Sequence, residues 1–225
     1  MKILKISGTN ITTFDTFEIN FESEPLKSCG LFAITGATGS GKSTLLDAIC
    51  LALYGRTPRY SNHGGIKIGK NEDSEKTKLL ANDPRALMSY GAGFAEVAVD
   101  FTRDHQKFYR AKWYTQRAHK KPEGSIQSVS QELYEISYSE SESELDSDKN
   151  AVETKLLEGT KVTDVRKKIE ECVGLKYEEF CRTVFLAQGE FDAFLKREEE
   201  RSKLLELITG DQLYSRISQV AAEQL

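Results

Sequence analysis

Apolar and polar residues alternate from the start of the chain, as in Lys2-Ile3-Leu4-Lys5-Ile6 and Phe17-Glu18-Ile19-Asn20-Phe21. A period of two marks a strand with one buried face. Residues 2–22 therefore predict two strands joined by a polar turn at residues 8–13. Residues 31–35, Leu-Phe-Ala-Ile-Thr, are an unbroken apolar run that predicts a strand buried on both faces. A glycine-rich stretch follows, then an amphipathic helix over residues 42–54. Gly55, Pro58, Gly64, Gly65 and Gly69 punctuate the next stretch without any period, which predicts a loop. Residues 94–101 and 107–115 predict neighbouring strands of an antiparallel sheet, with 126–136 a third. Residues 163–172 and 177–182 predict helices. From residue 198 onward Leu204, Leu205, Ile208, Leu213, Ile217 and Val220 keep a rough helical spacing, interrupted at Gly210. The sequence is thus expected to stop inside a helix, as a piece of something longer would.

Composition adds bounds rather than a function. A chain of 225 residues can bury a substantial core and fits one large domain, or one domain with an extension. A net charge of −4 neither advertises nor excludes a nucleic-acid binder, because binding depends on a local patch. Cys29, Cys50, Cys172 and Cys181 lack the spacing of a metal site or a disulfide framework and are expected to be reduced thiols. The N-terminus has no apolar core of a secretory signal, and the most apolar stretch, residues 45–54, is half the length that crosses a bilayer. A soluble, cytoplasmic protein is expected. Residues 137–148 hold five acids and five serines and no base, which predicts a solvated loop.

Chemistry enters at Gly36-Ala37-Thr38-Gly39-Ser40-Gly41-Lys42-Ser43, which fills every fixed position of Gly-x-x-x-x-Gly-Lys-Ser/Thr. Glycines let successive backbone N–H groups turn inward toward phosphate oxygens, and the positive end of the following helix adds to that field. Lys42 supplies a point charge for the β- and γ-phosphates, Ser43 a hydroxyl for Mg²⁺, and Thr44 completes the binding segment. A nucleoside triphosphate, ATP with Mg²⁺, is the expected ligand.

An ATPase also needs an acid beside the metal and a general base. The candidate is Asp100, after Val97-Ala98-Val99. Glu96, Ala98 and Asp100 share one strand face while Val97, Val99 and Phe101 share the other, so a solvated strand position is the expected place for Asp100. Phe101 stands where a catalytic glutamate would follow. Residues 103–121 carry seven bases (Arg103, Lys107, Arg110, Lys112, Arg117, Lys120, Lys121) against Asp104 alone, with Tyr109, Trp113 and Tyr114 interleaved. Such a strip suits either contact with a nucleic-acid backbone or a solvated strand face with its aromatics turned inward. Lys107, Arg110, Lys112, Arg117 and Lys120 are the DNA-contact candidates. Arg56 and Arg59 suit phosphate or DNA contacts or a plain solvated loop, of which the loop is the expected one.

Four segments together resemble one family: the start Met-Lys-Ile-Leu-Lys-Ile, residues 30–54 across the phosphate loop, Tyr109-Arg-Ala-Lys-Trp113, and Phe185-Leu-Ala-Gln-Gly-Glu-Phe-Asp-Ala-Phe-Leu195. The chain is similar to the N-terminal ATPase segment of the SbcC family, SMC-like ATPase subunits of bacterial exonucleases that process DNA ends and hairpins. The resemblance implies an α/β P-loop NTPase fold, an ABC-type half-head with an antiparallel β-lobe and the start of a coiled-coil helix. It implies a half-head over 1–197, with a phosphate-loop core 1–90, a β-lobe at about 94–160 and a Q-loop region 177–195, then coiled coil over 198–225. It implies that Gln188 is the Q-loop glutamine, approaching Mg²⁺ and the attacking water, with Lys42 as the other catalytic residue. Walker B acids, signature loop and hook cysteines are implied to lie outside these residues. The implied partners are a C-terminal ATPase segment of the same protein, a second copy forming a homodimer of heads, the SbcD nuclease, and DNA in a nucleoid-associated setting, with no membrane.

Two other readings fit the loop. A small-molecule kinase would need an arginine-bearing lid and an acceptor pocket, and after Arg56 and Arg59 no second cluster of that kind follows. A module that binds nucleotide and DNA but hydrolyses nothing alone would fit the lack of a general base. Whether Glu190 and Asp192 touch metal or an interface is open at this level.

Overall fold

The computed structural model describes residues 1–58, 67–68, 79–80, 83–138 and 151–183. Contacts divide the chain into a unit Met1–Gly174 and a second unit from Leu175.

In the first unit the strands are β1 (Lys2–Ile11), β2 (Phe14–Asn20), β3 (Lys67–Ile68), β4 (Leu79–Leu80), β5 (Phe94–Thr102), β6 (Phe108–Gln116), β7 (Ser130–Tyr138) and β8 (Ala151–Glu158). Six of them form one antiparallel sheet in the order β2-β1-β5-β6-β7-β8, while β3 and β4 pair with each other. The helices are α1 (Lys42–Tyr54) and α2 (Val162–Val173); α3 (Tyr177–Thr183) belongs to the second unit.

The period of two in the sequence sets the sheet's two faces. Leu4, Ile6, Val97, Val99, Ala111, Trp113 and Leu133 are buried on one, which α1 and α2 cover. The register Ser7↔Ala98↔Lys112↔Glu132 runs across the other. α2 is amphipathic: Val165, Ile169 and Val173, four residues apart, are its buried stripe. α1 is not, contrary to expectation. Thr44, Leu45, Asp47, Ala48 and every residue from Cys50 to Tyr54 are buried, so it lies as an interior helix rather than a surface one.

Several expectations change. The turn expected at residues 8–13 is only Thr12 and Thr13, because β1 continues through Gly8. The Phe17 ring covers that glycine, and a Cβ there would come within 2.7 Å of Phe17 Cζ. An aromatic cross-strand partner thus supplies the packing the glycine lacks. β7 starts at Ser130 rather than 126, and β8 was not anticipated. Beyond the glycine-punctuated loop expected after α1, Pro84–Leu87 form a 3₁₀ turn capped by Asp83, whose carboxylate accepts from Arg85 N.

The largest departure is at residues 31–35. They have no regular structure and are exposed, Leu31 at 92%. A strand exists only where a neighbour completes its ladder, and among the described residues none pairs with this run. The rings of Phe21 and Phe32 meet locally, 5.5 Å apart.

Candidate functional site

The phosphate-loop sequence forms a tight turn at the head of α1. Gly39 (φ 85°) and Gly41 (φ 89°) are in the left-handed region, and Gly41 is the residue before the helix. Ser40 N donates to Ala37 O (3.2 Å), and Leu45 N to Gly41 O (3.2 Å), so the chain passes from turn to helix without a break. The Lys42 ammonium folds back over the loop, donating to Gly36 O (2.8 Å), Ala37 O (2.7 Å) and Ser40 Oγ (3.3 Å). It is thereby held over the loop's own backbone. Ser43 is exposed one residue further on, and Thr44 is buried.

At Gly36 and Gly41 this cradle has no room for a side chain, whereas Gly39 faces open space. A Cβ on Gly36 would come within 2.7 Å of Ser40 Oγ, and one on Gly41 within 2.5 Å of Phe14 Cζ. The β1–β2 turn supports it from below. Thr12 Oγ1 donates to Thr44 Oγ1 (3.1 Å), and the turn is itself held from behind, where Thr12 N donates to Leu87 O (2.8 Å) and Ser89 Oγ to Thr12 O (2.9 Å). Backbone turn, helix N-terminus and a cation on one loop are what an anionic phosphate chain requires.

Asp100 is not the solvated residue expected. It is 2% exposed, and Arg110 on the next strand donates to both its oxygens, Nε to Oδ1 at 2.6 Å and Nη2 to Oδ2 at 2.7 Å. The cause is register: β5 and β6 place Asp100 opposite Arg110. This commits Asp100 to a structural pair.

The basic strip does not form one continuous face. Arg110 is engaged by Asp100, and Lys112 lies between Ala98 and Glu132 with its ammonium 5.0 Å from the Tyr134 ring centre. The remaining candidates sit at the ends of β6, about 30 Å apart over nine residues. At one end, exposed Lys107 leaves a turn shaped by Asp104, whose carboxylate accepts from Gln106 N and Lys107 N; those N–H groups hold Asp104 below the usual carboxylate range. At the other, Arg117 donates to Gly124 O (3.1 Å), and Lys120 lies 5.4 Å from the Phe94 ring centre. Trp113 is fully buried, as the inward-aromatic reading expected, while Tyr114 stays on the outer face and bonds Gln116. Gln188, Glu190, Asp192, Arg59, most of the acidic run and the helix expected from 198 lie outside the described residues.

Sequence reasoning missed a polar joint at the far end of α1. Gln131 of β7 is 1% exposed; its Nε2 donates to Ala52 O (3.0 Å) and its Oε1 accepts from Arg166 Nε of α2 (2.9 Å). One signal was available: Gln131 shares its strand parity with Leu133, a polar residue at a core position.

The sequence profile of the AAA domain family matches residues 5–224, nearly all of the chain. The chain belongs to the AAA domain family. Nucleotide binding is the coarse function that membership implies. Among relatives, a Rhodobacter capsulatus protein named as the C subunit of nuclease SbcCD is 41% identical over 97% of this chain and 16% of its own length. One of the same name from Pseudomonas aeruginosa is 39% identical over 100% of this chain and 17% of its own. An Aquifex aeolicus protein named "Probable DNA double-strand break repair Rad50 ATPase" is 28% identical over 99% of this chain and 18% of its own. This AAA domain thus spans about a sixth of the length of these relatives. No helix among its described residues is long and apolar enough to cross a membrane.

Proposed function

We propose that the chain is the ATP-binding head segment of the ATPase subunit of an exonuclease that processes DNA breaks and hairpins. The observation that carries this reading is the loop at residues 36–43, with two left-handed glycines and Lys42 folded over it at the start of α1. The backbone N–H groups of residues 36–44 would hold the triphosphate, Lys42 its β- and γ-phosphates and Ser43 the Mg²⁺. Similarity to the SbcCD proteins supports the nuclease setting. In that setting the partners are a C-terminal ATPase segment, a second head, the SbcD nuclease and DNA, with Gln188 sensing the nucleotide. ATP-driven closure of two heads would grip DNA and regulate the nuclease by population shift. Exposed Lys107 and Lys120 are the foremost DNA-contact candidates, ahead of Arg110 and Lys112, whose charges face acids on the sheet.

A second reading, a nucleotide- and DNA-binding module without hydrolysis of its own, is favoured for these residues in isolation. Asp100, the candidate acid beside the metal, is held instead by Arg110. Hydrolysis by the chain alone and mixed with the C-terminal segment, with and without linear DNA, separates the two. Activity in the mixture only, raised by DNA and lost in Lys42→Ala, is the expected result. Steady hydrolysis or phosphoryl transfer by the 225 residues alone would reopen the kinase reading.

A further inference from the structure

α1 is a rod about 20 Å long, set by 13 residues at 1.5 Å each, with the phosphate loop at one end and a buried polar joint at the other. The last carbonyls of any helix lack partners within it. Here Leu51 O is satisfied by Gly55 N (2.8 Å), in the left-handed turn at Gly55 (φ 61°). Ala52 O is satisfied from outside, by Gln131 Nε2. Gln131 then passes the connection on, because its Oε1 accepts from Arg166 Nε. One amide therefore bonds the phosphate-loop helix, sits on the sheet at β7, and bonds α2.

Its placement is chemically demanding. A buried amide without partners carries a large desolvation penalty, and an apolar side chain of similar size would fill the same volume without that liability. The surroundings are arranged to meet its needs. Arg166 is half-buried, and burial, followed by the nearby charge of Arg56, lowers its pKa from the usual guanidinium value. The guanidinium packs against the backbone of Gly55, where any Cβ would collide with it. Two requirements, a glycine at the helix end and a glutamine in the core, thus serve one contact between α1 and α2.

We propose that Gln131 is a positioning residue that couples nucleotide at the loop 36–43 to the β7–α2 part of the domain, through the chain Ala52 O, Gln131, Arg166. It rests on the nucleotide reading above and adds how occupancy leaves the site. Phosphate drawn to the loop acts on the head of α1, and a buried helix moves as a rigid body. Its tail carbonyl then moves against Gln131, and a hydrogen-bonded chain transmits that displacement where apolar contacts would slide.

The test is hydrogen–deuterium exchange of the full 225-residue chain with and without Mg·ATP, read separately over α1 and α2, beside binding of a fluorescent ATP analogue. In the wild type, exchange is expected to slow at least about fivefold in both helices on binding. In Gln131→Leu and in Arg166→Met the analogue still binds and α1 still responds, while the α2 response is lost. Gln131→Glu keeps the acceptor for Arg166 but not the donor to Ala52 O, and is expected to lose the α2 response as well. A purely structural role would raise exchange equally with and without nucleotide and leave the ratio unchanged, which would overturn the proposal. Should Gln131→Leu melt below assay temperature, Arg166→Lys, which keeps the charge but not the Nε geometry, decides it by the same ratio. Binding by the wild type with no response in α2 overturns this proposal alone. Absence of binding overturns the nucleotide reading and this with it.

Discussion

Arg110 and Asp100 face each other across β5 and β6 and close a two-bonded ion pair, with 2.6 Å between Arg110 Nε and Asp100 Oδ1. The carboxylate is almost wholly removed from water and the guanidinium mostly so, at 2% and 18% side-chain exposure. Removing one partner from such a pair leaves a desolvated charge, so Asp100→Ala should lower stability by about 3 kcal/mol. The Asp100→Ala, Arg110→Ala double variant should lose much less than the two single changes together. Urea melts of the four proteins check this; single variants within about 0.5 kcal/mol of wild type would mean the pair is water-screened after all.

The same pair sorts the basic residues. Lys107→Ala and Lys120→Ala should each weaken DNA binding and reduce the dependence of log K on log salt by about one unit if they neutralise a phosphate. Arg110→Ala should instead appear as lost stability with a salt slope near that of wild type. Titrating labelled duplex DNA at several salt concentrations reads both; an unchanged slope in both lysine variants would remove the β6 ends from the DNA surface.

Gly41 is constrained twice, by its φ of 89° and by Phe14. Gly41→Ala should cost about 2 kcal/mol or more, part backbone strain and part overlap with the ring. Phe14→Leu should recover the overlap part and leave the strain. Thermal melts of the single and double variants report the coupling, and simple additivity would show that Phe14 does not press on the loop. Lys42→Ala, by contrast, removes contacts on an exposed loop and should abolish nucleotide binding with stability changed by less than about 1 kcal/mol.

Tyr109 and Cys172 form a pH-sensitive contact between β6 and α2. Burial, with a smaller contribution from Cys172, pushes the Tyr109 phenol up to about 12, and burial also pushes the Cys172 thiol up. Both groups favour their neutral form in the folded state. The stability they add is complete below their unfolded values and is lost as pH climbs through the raised folded ones, for Tyr109 between about 10 and 12. Denaturant melts across that alkaline range should fall less steeply in Tyr109→Phe. A disulfide-exchange reagent at mildly alkaline pH should modify exposed Cys29 well before half-buried Cys172; equal rates would contradict the shielding of Cys172.

Much of this protein can be read from neighbouring residues, wherever the information is local. Alternating apolar positions placed β1, β2, β5 and β6, and a glycine-rich motif placed the phosphate turn and the start of α1 at Lys42, because period and backbone freedom are properties of neighbouring residues. What depends on partners distant in the chain emerges only in the folded molecule. Asp100 read as solvated because parity reveals a face but not what lies across from it; register with Arg110 made it a buried ion pair. Gln131 lies unremarked within the strand expected at residues 126–136, and only the fold brings to it the end of α1 and Arg166, 79 and 35 residues away. At residues 31–35, apolarity showed a demand for burial, yet a strand needs a ladder neighbour that no local pattern can supply.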